Sequence, residues 1–457
     1  MSTTNILQRF EMKPGDTLHK ETLERDIDEL ISQYESIGYP FTNIIIQSIE
    51  TYHEQAESKL KVILRIDEGQ LVRIKEIRAS GNKETHGNVI IRESNIAENE
   101  IYNEQKVRNI SQRLNRLNIF SRVDDPILTM SDSGGILTIP VEEGNTNTFD
   151  GVMGYVPSSN GDDGFLTGLV SVSMRNLFGT ARKLNVHWQK EQREVQELSF
   201  RYYEPWFFNF PVDVSGAFKQ RQQDSTYVNS QFELKTDIRL FNEFTVAGIL
   251  THESVVPSNS SSGLLIANSQ TIMTGIELRY DSRDDLISPT SGVYYRSDYQ
   301  VGNKTFGSSE TNVQKLALDV LIPIQLFNRQ VLSLELHGKE FLADNISIGE
   351  MFRLGGTGSL RGYRESQFLG SRIGFTNLEY RFLLSRRSFF FGFVDAGYYF
   401  LPENQAQGIV SSQSFKYGYG IGTRLETGIG LIGVSFAFGE GDSFSQGKIH
   451  FGIVNEF

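Results

Sequence analysis

From Thr148 onward, the chain alternates between apolar residues and small or polar ones. In the segment 417–426, alternate positions carry Tyr417, Tyr419, Ile421, Thr423 and Leu425, and the positions between them carry Gly418, Gly420, Gly422, Arg424 and Glu426. Because successive side chains of a strand point to opposite faces, this order predicts a strand with one apolar face. The segments 432–438 and 449–457 repeat the pattern. It fits either a soluble β-sandwich or a membrane barrel with a polar lumen.

The aromatic content of this region favours the membrane barrel. The 310 residues from Thr148 to Phe457 hold 45 of the 52 aromatic residues, whereas the first 147 residues hold seven. Many lie beside predicted strand ends, as in Tyr202-Tyr203, Trp206-Phe207-Phe208, Tyr294-Tyr295 and Tyr398-Tyr399-Phe400. Such aromatic girdles are typical of outer-membrane barrels. At about 9 to 11 residues a strand plus connections, we expect an all-β barrel of about sixteen antiparallel strands over residues 148–457.

The first 147 residues predict two copies of a small α+β unit. Each copy has apolar residues at helical spacing, such as Leu23, Ile27, Leu30, Ile31 and Tyr34, followed by two strand-like segments. The copies end on similar runs, 66–69 and 141–144, which begin 75 positions apart. A fixed period indicates tandem repeats. We therefore predict two β-α-α-β-β domains, at 1–70 and 71–147, the first without its opening strand.

Charge and cysteine content exclude several classes of function. The net charge of −12 divides into −7 before Thr148, from 17 Lys and Arg against 24 Asp and Glu, and −5 after it. Neither part has the basic surface of a nucleic-acid-binding protein, so nucleic acid is not an expected partner. The chain has no cysteine, which excludes a disulfide framework and a thiolate metal site.

No catalytic constellation is recognisable in the sequence. The segment 428–433 satisfies the G-x-G-x-x-G pattern of dinucleotide-binding sites, but strand alternation runs through it and no helix is predicted after it. The pair His252-Glu253 lacks the second histidine of a zinc protease motif. Asp284 and Asp285 are interpreted as solvated loop ends rather than as metal ligands. We therefore expect no enzymatic activity, no cofactor and no metal site.

Neither a membrane-spanning helix nor a signal peptide is recognisable. No stretch approaches the roughly 18 to 20 consecutive apolar residues that such a helix requires. Met1 is followed by a polar stretch. Because export requires a signal peptide, we expect this sequence to be a mature or truncated form.

Several motifs resemble the BamA and TamA type of outer-membrane protein assembly factor family. Gly81-Asn82, Ile91-Arg92-Glu93, Tyr102-Asn103 and the run 114–120 resemble a POTRA domain, more closely over 72–144 than over 6–69. The run 355–363, which contains Arg361-Gly362-Tyr363, is similar to the sixth extracellular loop of the family. That loop folds into the barrel and carries an Arg-Gly-Phe or Arg-Gly-Tyr tripeptide after glycines. The resemblance implies two POTRA domains followed by a bacterial surface antigen type barrel of sixteen strands.

The resemblance also implies a binding site for the loop arginine. In the family, acidic residues at the positions of Glu379 and Asp395 face the lumen and hold this arginine. We therefore predict a lumenal triad of Arg361, Glu379 and Asp395. The predicted site also includes Gly355, Gly356, Gly358, Gly362 and Tyr363 of the loop, and Gly418, Gly420 and Gly422 of a glycine-rich strand. The family matches at 176–180, at 204–207 and at 281–285 with Pro289 and Gly292 are interpreted as turns between strands.

Family members of this kind fold and insert other barrel proteins without covalent chemistry. The implied partners are unfolded outer-membrane β-barrel proteins, outer-membrane lipid, and accessory lipoproteins or periplasmic chaperones. The implied location is the bacterial outer membrane, with the N-terminal domains in the periplasm. Clients would enter at a lateral seam between the first strand, near 149–155, and the last strand, 448–457. The predicted seam and C-terminal signal include Phe451, Gly452, Ile453 and Phe457, whereas Val454 stands about where BamA has a hinge glycine.

Two other functions fit parts of the sequence. A two-partner secretion transporter of the same family also has two POTRA domains and exports an extended polypeptide. Such transporters usually begin with a helix that plugs the barrel, and none is recognisable before Ile6. A passive porin would need neither the repeats nor the loop motif.

Overall fold

The chain forms two compact units. The computed structural model describes residues 10–54, 57–156, 165–190, 192–223, 226–257, 268–404, 408–427 and 430–454. The first unit contains the described residues up to Asn145 together with Phe178–Ala181, and the second contains Thr146–Leu177 and the described residues from Arg182 onward. Among all of these residues, no helix is both long and apolar enough to cross a membrane.

The first unit begins with a helix packed on a two-stranded sheet. Helix α1 spans Lys20–Ser36, strand β1 spans Asn43–Glu54, and strand β2 spans Glu57–Asp67. The two strands pair antiparallel. The opening strand that this module is predicted to lack would precede Phe10, and residues 1–9 lie outside the described residues, so its absence stays a prediction.

The apolar stripe of α1 forms the core of this first module. Leu23, Leu30 and Tyr34 are buried in one cluster with Ile44 of β1, as the helical spacing predicts. The Tyr34 hydroxyl donates to Glu68 Oε1 at 2.8 Å. Burial and this hydrogen bond raise the pKa of Tyr34 to about 12, so the phenol stays protonated at neutral pH.

The second module has the predicted β-α-α-β-β order with one difference. Its elements are β3 (Ile74–Ser80), α2 (Gly87–Ser94), α3 (Glu104–Arg116), β4 (Phe120–Val123), β5 (Ile127–Ser131) and β6 (Gly134–Glu143). Strand β6 lies in the centre, parallel to β3 and antiparallel to β4 and β5. The single strand predicted near 121–130 is divided between β4 and β5, because Pro126 cannot donate a ladder hydrogen bond.

A buried cluster joins the helices of this module to its sheet. Ile90 of α2, Ile110 and Leu114 of α3, and Leu137 of β6 are completely buried together. Ala181, which directly follows the turn predicted at 176–180, belongs to the same cluster. The carbonyl of Gly179 in this turn accepts a hydrogen bond from the His86 N–H at 2.8 Å.

The second unit is a sheet of sixteen strands, which confirms the predicted barrel architecture. Its first eight strands are β7 (Asn147–Val156), β8 (Phe165–Leu177), β9 (Arg182–Lys190), β10 (Gln196–Glu204), β11 (Val212–Gln223), β12 (Tyr227–Arg239), β13 (Phe244–Pro257) and β14 (Ser269–Asp281). The other eight are β15 (Tyr294–Phe306), β16 (Ser309–Phe327), β17 (Gln330–Leu342), β20 (Arg372–Leu383), β21 (Phe389–Leu401), β22 (Ser412–Thr427), β23 (Gly430–Gly439) and β24 (Lys448–Val454). Strands β18 (Phe352–Leu354) and β19 (Phe368–Gly370) form a separate hairpin.

The sixteen strands follow one another around the sheet, and every neighbouring pair is antiparallel. We call the end where β7 begins the near end and the opposite end the far end. Within the described part of the chain, β7 pairs with β8 alone and β24 pairs with β23 alone. The sheet therefore has one discontinuity, between its first and last strands, and we call this the seam.

The two faces of the sheet have the inverted polarity of a membrane barrel. On β14, the outward-facing Ile272 and Ile276 are 58% and 60% exposed. The inward-facing Glu277 of the same strand is buried and lies 2.7 Å from Lys235 Nζ of β12. Apolar side chains on the outside and paired charges on the inside suit a surface that meets lipid and encloses a polar lumen.

The connections between strands correct one interpretation from the sequence. The three segments interpreted as turns do join consecutive strands. However, the prediction that Asp284 and Asp285 are both solvated is wrong for Asp285, which is buried and accepts the N–H groups of Ile287 and Ser288. Alternation in the strands carries no information about a connection that folds back on the barrel, so the sequence could not distinguish the two carboxylates.

Glu143 provides a test of the second module that does not depend on the barrel. Its carboxylate accepts the backbone N–H groups of Lys83, Glu84 and Thr85, the last at 2.6 Å. Burial alone would raise the pKa of Glu143, but these donors hold it below the ordinary value. We expect Glu143→Gln to reduce local stability by about 1 kcal/mol at pH 7, because a neutral acceptor binds N–H groups less strongly.

Peptide-level hydrogen exchange over residues 81–87, corrected for intrinsic rates, measures this effect. Because the folded pKa lies below the unfolded one, the stabilisation is complete above about pH 4.5 and is lost as the pH falls through the folded pKa. The difference between wild type and variant should therefore shrink on acidification. A difference that grew toward low pH would contradict the assignment.

Candidate functional site

The connection between β17 and β20 folds into the barrel. It spans residues 343–371 and contains the β18–β19 hairpin, whose two strands pair from Phe352 with Gly370 to Leu354 with Phe368. The hairpin presents a tip, residues 355–367, that holds the Arg361-Gly362-Tyr363 motif. Leu354 and Leu360 are completely buried and pack with Ile373 on the wall strand β20. An apolar anchor thus positions the tip inside the lumen.

Arg361 lies between the two carboxylates predicted to hold it. Its Nε and Nη2 atoms donate to Asp395 at 2.8 and 2.7 Å, and Nη1 donates to Glu379 Oε1 at 2.6 Å. The backbone N–H of Arg361 also donates to Asp395 Oδ2 at 3.0 Å. All three side chains are buried, and Asp395 has no exposed surface. Two carboxylates therefore replace the water that the guanidinium loses on burial. The contact with Asp395 is bidentate, and the contact with Glu379 is a single hydrogen bond.

A second arginine, Arg381, shares one of these carboxylates. Arg381 Nε donates to Glu379 Oε2 at 2.8 Å, so Glu379 is shared between the two guanidinium groups. Arg381 Nη2 also lies 3.4 Å from Glu335 on β17. The sequence reasoning missed Arg381 and Glu335. The signal for Arg381 was present, since it stands two residues after Glu379 on β20 and therefore faces the lumen as well.

Two phenylalanine rings form the floor under Arg361. The guanidinium carbon lies 3.7 Å from the ring centre of Phe393 and 5.6 Å from that of Phe391, both on β21. Both rings are buried. A cation above an aromatic face gains about 1 to 2 kcal/mol when the contact is desolvated. The sequence reasoning missed these residues, although they alternate with outward-facing Phe390 and Val394 on the strand that carries Asp395.

The glycine-rich strand β22 makes room for the rings and for the loop. A Cβ on Gly422 would lie 2.4 Å from Phe391 Cζ, and one on Gly420 would lie 2.8 Å from Phe393 Cζ. A Cβ on Gly418 would lie 1.9 Å from the carbonyl oxygen of Arg361. The three glycines thus act through close approach, as the predicted site implies.

The glycines of the loop tip are not equivalent. Gly355, Gly356 and Gly362 have φ angles of 116°, 97° and 91°, which side chains rarely adopt. A Cβ on Gly362 would also lie 2.5 Å from the backbone of Phe438 on β23. Gly358 has open space around its Cα and a backbone that any residue can adopt. We therefore assign the structural requirement to the first three and not to Gly358.

Tyr363 and His450 fix the tip to the last strands of the sheet. The Tyr363 hydroxyl donates to the carbonyl of Tyr417 and accepts the N–H of Glu440, both at 3.0 Å. His450 on β24 accepts the N–H of Gly362 through Nε2 at 3.0 Å. Alternation along 449–457 puts His450 on the face opposite Ile449 and Phe451, but the pattern does not predict its contact with the loop. The loop is therefore in direct contact with the strand that borders the seam.

The predicted residues of the last strand are not part of this cluster. Phe451 faces outward and is 59% exposed, and a Cβ on Gly452 would meet only Thr357 at an ordinary 3.5 Å. The backbone of Ile453 pairs with Ile432. Phe457 lies outside the described residues, as do Gly428 and Ile429 of the G-x-G-x-x-G segment.

The arrangement is an electrostatic clamp. Two guanidinium groups face three carboxylates, and each charge has a partner at hydrogen-bonding distance. Among the described residues, no group of three or more His, Cys, Asp or Glu side chains is placed to hold a metal ion. The clamp can hold a loop against a barrel wall, and a change in its contacts would reach β24 through His450.

Replacing Arg361 tests the clamp. Arg361→Ala takes the bidentate arginine away from the buried Asp395 and leaves Glu379 with Arg381, and breaking a buried pair typically costs about 3 to 5 kcal/mol. We expect a loss of that order in the free energy of barrel unfolding. Both tryptophans of the chain, Trp188 and Trp206, lie in the second unit, so their fluorescence in a urea titration reports the barrel.

Arg364→Ala is the matched control, since it removes the same side chain from an exposed position in the same loop. It should change stability by no more than about 0.5 kcal/mol. Equal effects of the two substitutions would show that Arg361 contributes no more than a solvated arginine.

Comparisons with known protein families agree with this fold. A family model described as the Omp85 superfamily domain matches residues 176–457. The POTRA model, described as a surface antigen variable number repeat, matches residues 1–69 and 72–144. The first match covers more than half of the chain and includes the whole loop and its partners.

Sequence relatives with curated names are outer-membrane assembly factors. "Outer membrane protein assembly factor BamA" of Nitratidesulfovibrio vulgaris is 24% identical over 387 residues, which cover 77% of this chain and 46% of the relative. BamA of Neisseria meningitidis serogroup B is 26% identical over 227 residues, which cover 47% of this chain and 27% of the relative. The matched part is thus less than half the length of either relative.

Solved structures share the fold. BamA from Haemophilus ducreyi lacking POTRA domains 1–3 has a TM-score of 0.56 at 15% identity, covering 98% of this chain and 95% of that one. CdiB from Escherichia coli has a TM-score of 0.57 at 13% identity, covering 99% and 87%. The family models and the curated relatives place the chain in the bacterial outer membrane with its N-terminal domains in the periplasm. The chain therefore belongs to the Omp85 superfamily and combines two POTRA domains with a sixteen-stranded barrel.

Proposed function

We propose that this protein folds and inserts outer-membrane β-barrel proteins at the seam, without covalent chemistry. The observation that carries the proposal is the state of the two border strands. Among the described residues, neither β7 nor β24 has a second paired neighbour. Unpaired backbone groups are costly in hydrocarbon, and an incoming client strand can satisfy them. The curated names of the sequence relatives support the same activity.

The contact between the loop and β24 gives the proposal a mechanism. His450 binds the backbone of Gly362, one residue from the guanidinium that Asp395 and Glu379 hold. The clamp thus contacts the lumenal face of β24. The backbone groups along the edge of β24 that borders the seam remain available for pairing. We propose that this support keeps the border strand extended for pairing with a client.

The first module offers a second place for an unfolded client to bind. Among the described residues, β1 pairs with β2 alone, and Ile45 and Ile49 of β1 are 47% and 52% exposed. An extended polypeptide can add to such an edge through backbone hydrogen bonds. We therefore propose unfolded barrel proteins as clients and outer-membrane lipid as the medium, with accessory lipoproteins or chaperones as further partners.

A disulfide across the seam tests the proposal, since the chain has no native cysteine. Gly154→Cys on β7 is combined in turn with a cysteine at 448 or 452 on β24, positions that alternation places on the same inward face, and the pair that oxidises is used. In a reconstituted assay, we expect the oxidised barrel to insert an unfolded client at no more than the uncatalysed rate. Reduction should restore the rate, because only the seam has been closed.

The matched control joins Gly154→Cys to Thr167→Cys, positions that already pair across β7 and β8. This disulfide leaves the seam free, so insertion should continue at the parent rate. Unchanged insertion by the barrel locked at the seam would refute the proposed route.

Two alternative functions would give different results in related measurements. CdiB structures match the fold as well as BamA does, and at these identities they show the fold alone. A two-partner secretion transporter would move an extended polypeptide into the vesicle interior without inserting a barrel. A passive porin would show large and steady conductance in planar bilayers, whether or not the loop is present.

A further inference from the structure

The connection between β14 and β15 is buried at a place where a turn is normally solvated. It spans residues 282–293, and we call it the strap. Asp285, Ile287 and Ser288 in its middle are between 3% and 9% exposed. Turns at the end of a barrel lie in water unless they pack on something. The strap must therefore be covered by another part of the barrel.

The strap has a fixed shape. Asp284 accepts the backbone N–H groups of Thr290 and Ser291 and the hydroxyl of Thr290. Arg283 donates to Asp281 through Nε and Nη2, both at 2.9 Å, and to the carbonyl of Leu286. Three charged side chains, Asp281, Arg283 and Asp284, thus stabilise one conformation of the twelve-residue strap. This is typical of a rigid element rather than a flexible loop.

Asp285 connects this rigid element to a distant turn. Its Oδ1 atom accepts the N–H groups of Ile287 and Ser288, and its Oδ2 atom lies 3.2 Å from Arg386 and 3.7 Å from Arg387. Both arginines belong to the turn 384–388 between β20 and β21. Arg387 also lies 3.6 Å from Glu426 on β22.

The positions of these two turns in the sheet require the strap to cross the lumen. Both are at the near end, and strands β15, β16, β17 and β20 lie between them. Four strands about 4.8 Å apart and tilted by about 40° occupy about 25 Å of the wall. Two facing side chains cannot bridge that distance along the wall. The ion pair therefore forms only if the strap leaves the wall and extends over the mouth.

The burial of the wall beneath this path supports the same conclusion. Val331, the second residue of β17, and Phe389, the first residue of β21, stand at the near end and have no exposed surface. Side chains at the rim of an open mouth would contact water. Val331 lies on one of the four strands between the strap and the turn 384–388, and Phe389 begins the strand after that turn. Phe389 also packs against Arg381 and Arg424.

We propose that the strap is a latch that closes the near end of the lumen, held by Asp285 on Arg386 and Arg387. Its closure excludes water and polypeptide from the lumen at this end. Removing both arginines leaves the buried Asp285 carboxylate without a cationic partner, and removing the Asp285 charge releases the exposed Arg386 while Arg387 keeps Glu426, so either change favours opening. The latch is a property of the barrel alone and needs neither a client nor the seam, so it can fail or hold independently of the function proposed above.

The experiment measures access to a cysteine placed beneath the strap. Val331→Cys is introduced into the full chain in lipid nanodiscs, and its reaction with a charged maleimide is timed. We expect slow labelling in this parent and at least tenfold faster labelling after Asp285→Asn. The double variant Arg386→Gln with Arg387→Gln should accelerate labelling similarly, although it leaves every contact within the strap intact.

Two controls separate opening from unfolding. Asp132→Asn makes the same chemical change at an exposed position in the first unit and should leave the rate at the parent value. A cysteine at exposed Asp344, at the far end, should label equally fast with and without Asp285→Asn. Fast labelling of Val331→Cys in the parent would overturn the proposal. It would also be overturned if neither latch substitution changed the rate by more than twofold.

Discussion

A guanidinium group carried into a barrel lumen loses most of its water, and it is stable there only if other charges replace that water. Arg361 meets this requirement with Asp395 and Glu379, which project from adjacent strands of the wall. Because the two carboxylates belong to the wall and the arginine belongs to the loop, satisfying the charge also fixes the loop. The glycines of β22 and the rings of Phe391 and Phe393 follow from this requirement, since they provide the space and the floor that the docked loop needs.

Buried charges are also paired with opposite charges along the rest of the lumenal wall. Lys235 pairs with Glu277, Arg296 pairs with Asp319, and Asp319 also binds His337. Each pair joins strands that are neighbours or next neighbours, so the polar interior also stabilises strand register. At the near end, Asp285 extends the rule to a connection outside the wall. The barrel thus uses ion pairs where a soluble domain would use apolar packing, because its apolar side chains face outward.

Much of this fold could be predicted because its determinants are local. Alternation along β22 assigned Tyr417 and Ile421 to the outside and Gly420 to the inside, and the structure agrees. The triad could be proposed because three separate motifs resembled those of one family. Those motifs contained Arg361, Glu379 and Asp395, and the structure brings these residues together.

The rest of the site depends on contacts between parts of the chain that are distant in sequence. A single sequence does not show which of these residues meet. His450 is recognisable as inward-facing, but its hydrogen bond to Gly362 depends on how far the loop descends. Arg381 shares Glu379 because both stand on one face of β20, yet alternation gives only the face and not the partner. Asp285 was misassigned because a turn has no periodicity from which its direction could be inferred.

The coupling between Arg361 and Asp395 is the most direct measure of whether the charge holds the loop. A double-mutant cycle with Arg361→Ala, Asp395→Ala and the combined variant, followed by tryptophan fluorescence in urea, isolates that term from other effects of each substitution. We expect the combined variant to be more stable than the sum of the single losses implies, by about 2 kcal/mol or more, since removing both charges leaves neither buried alone. Losses that add to within about 0.5 kcal/mol would contradict it.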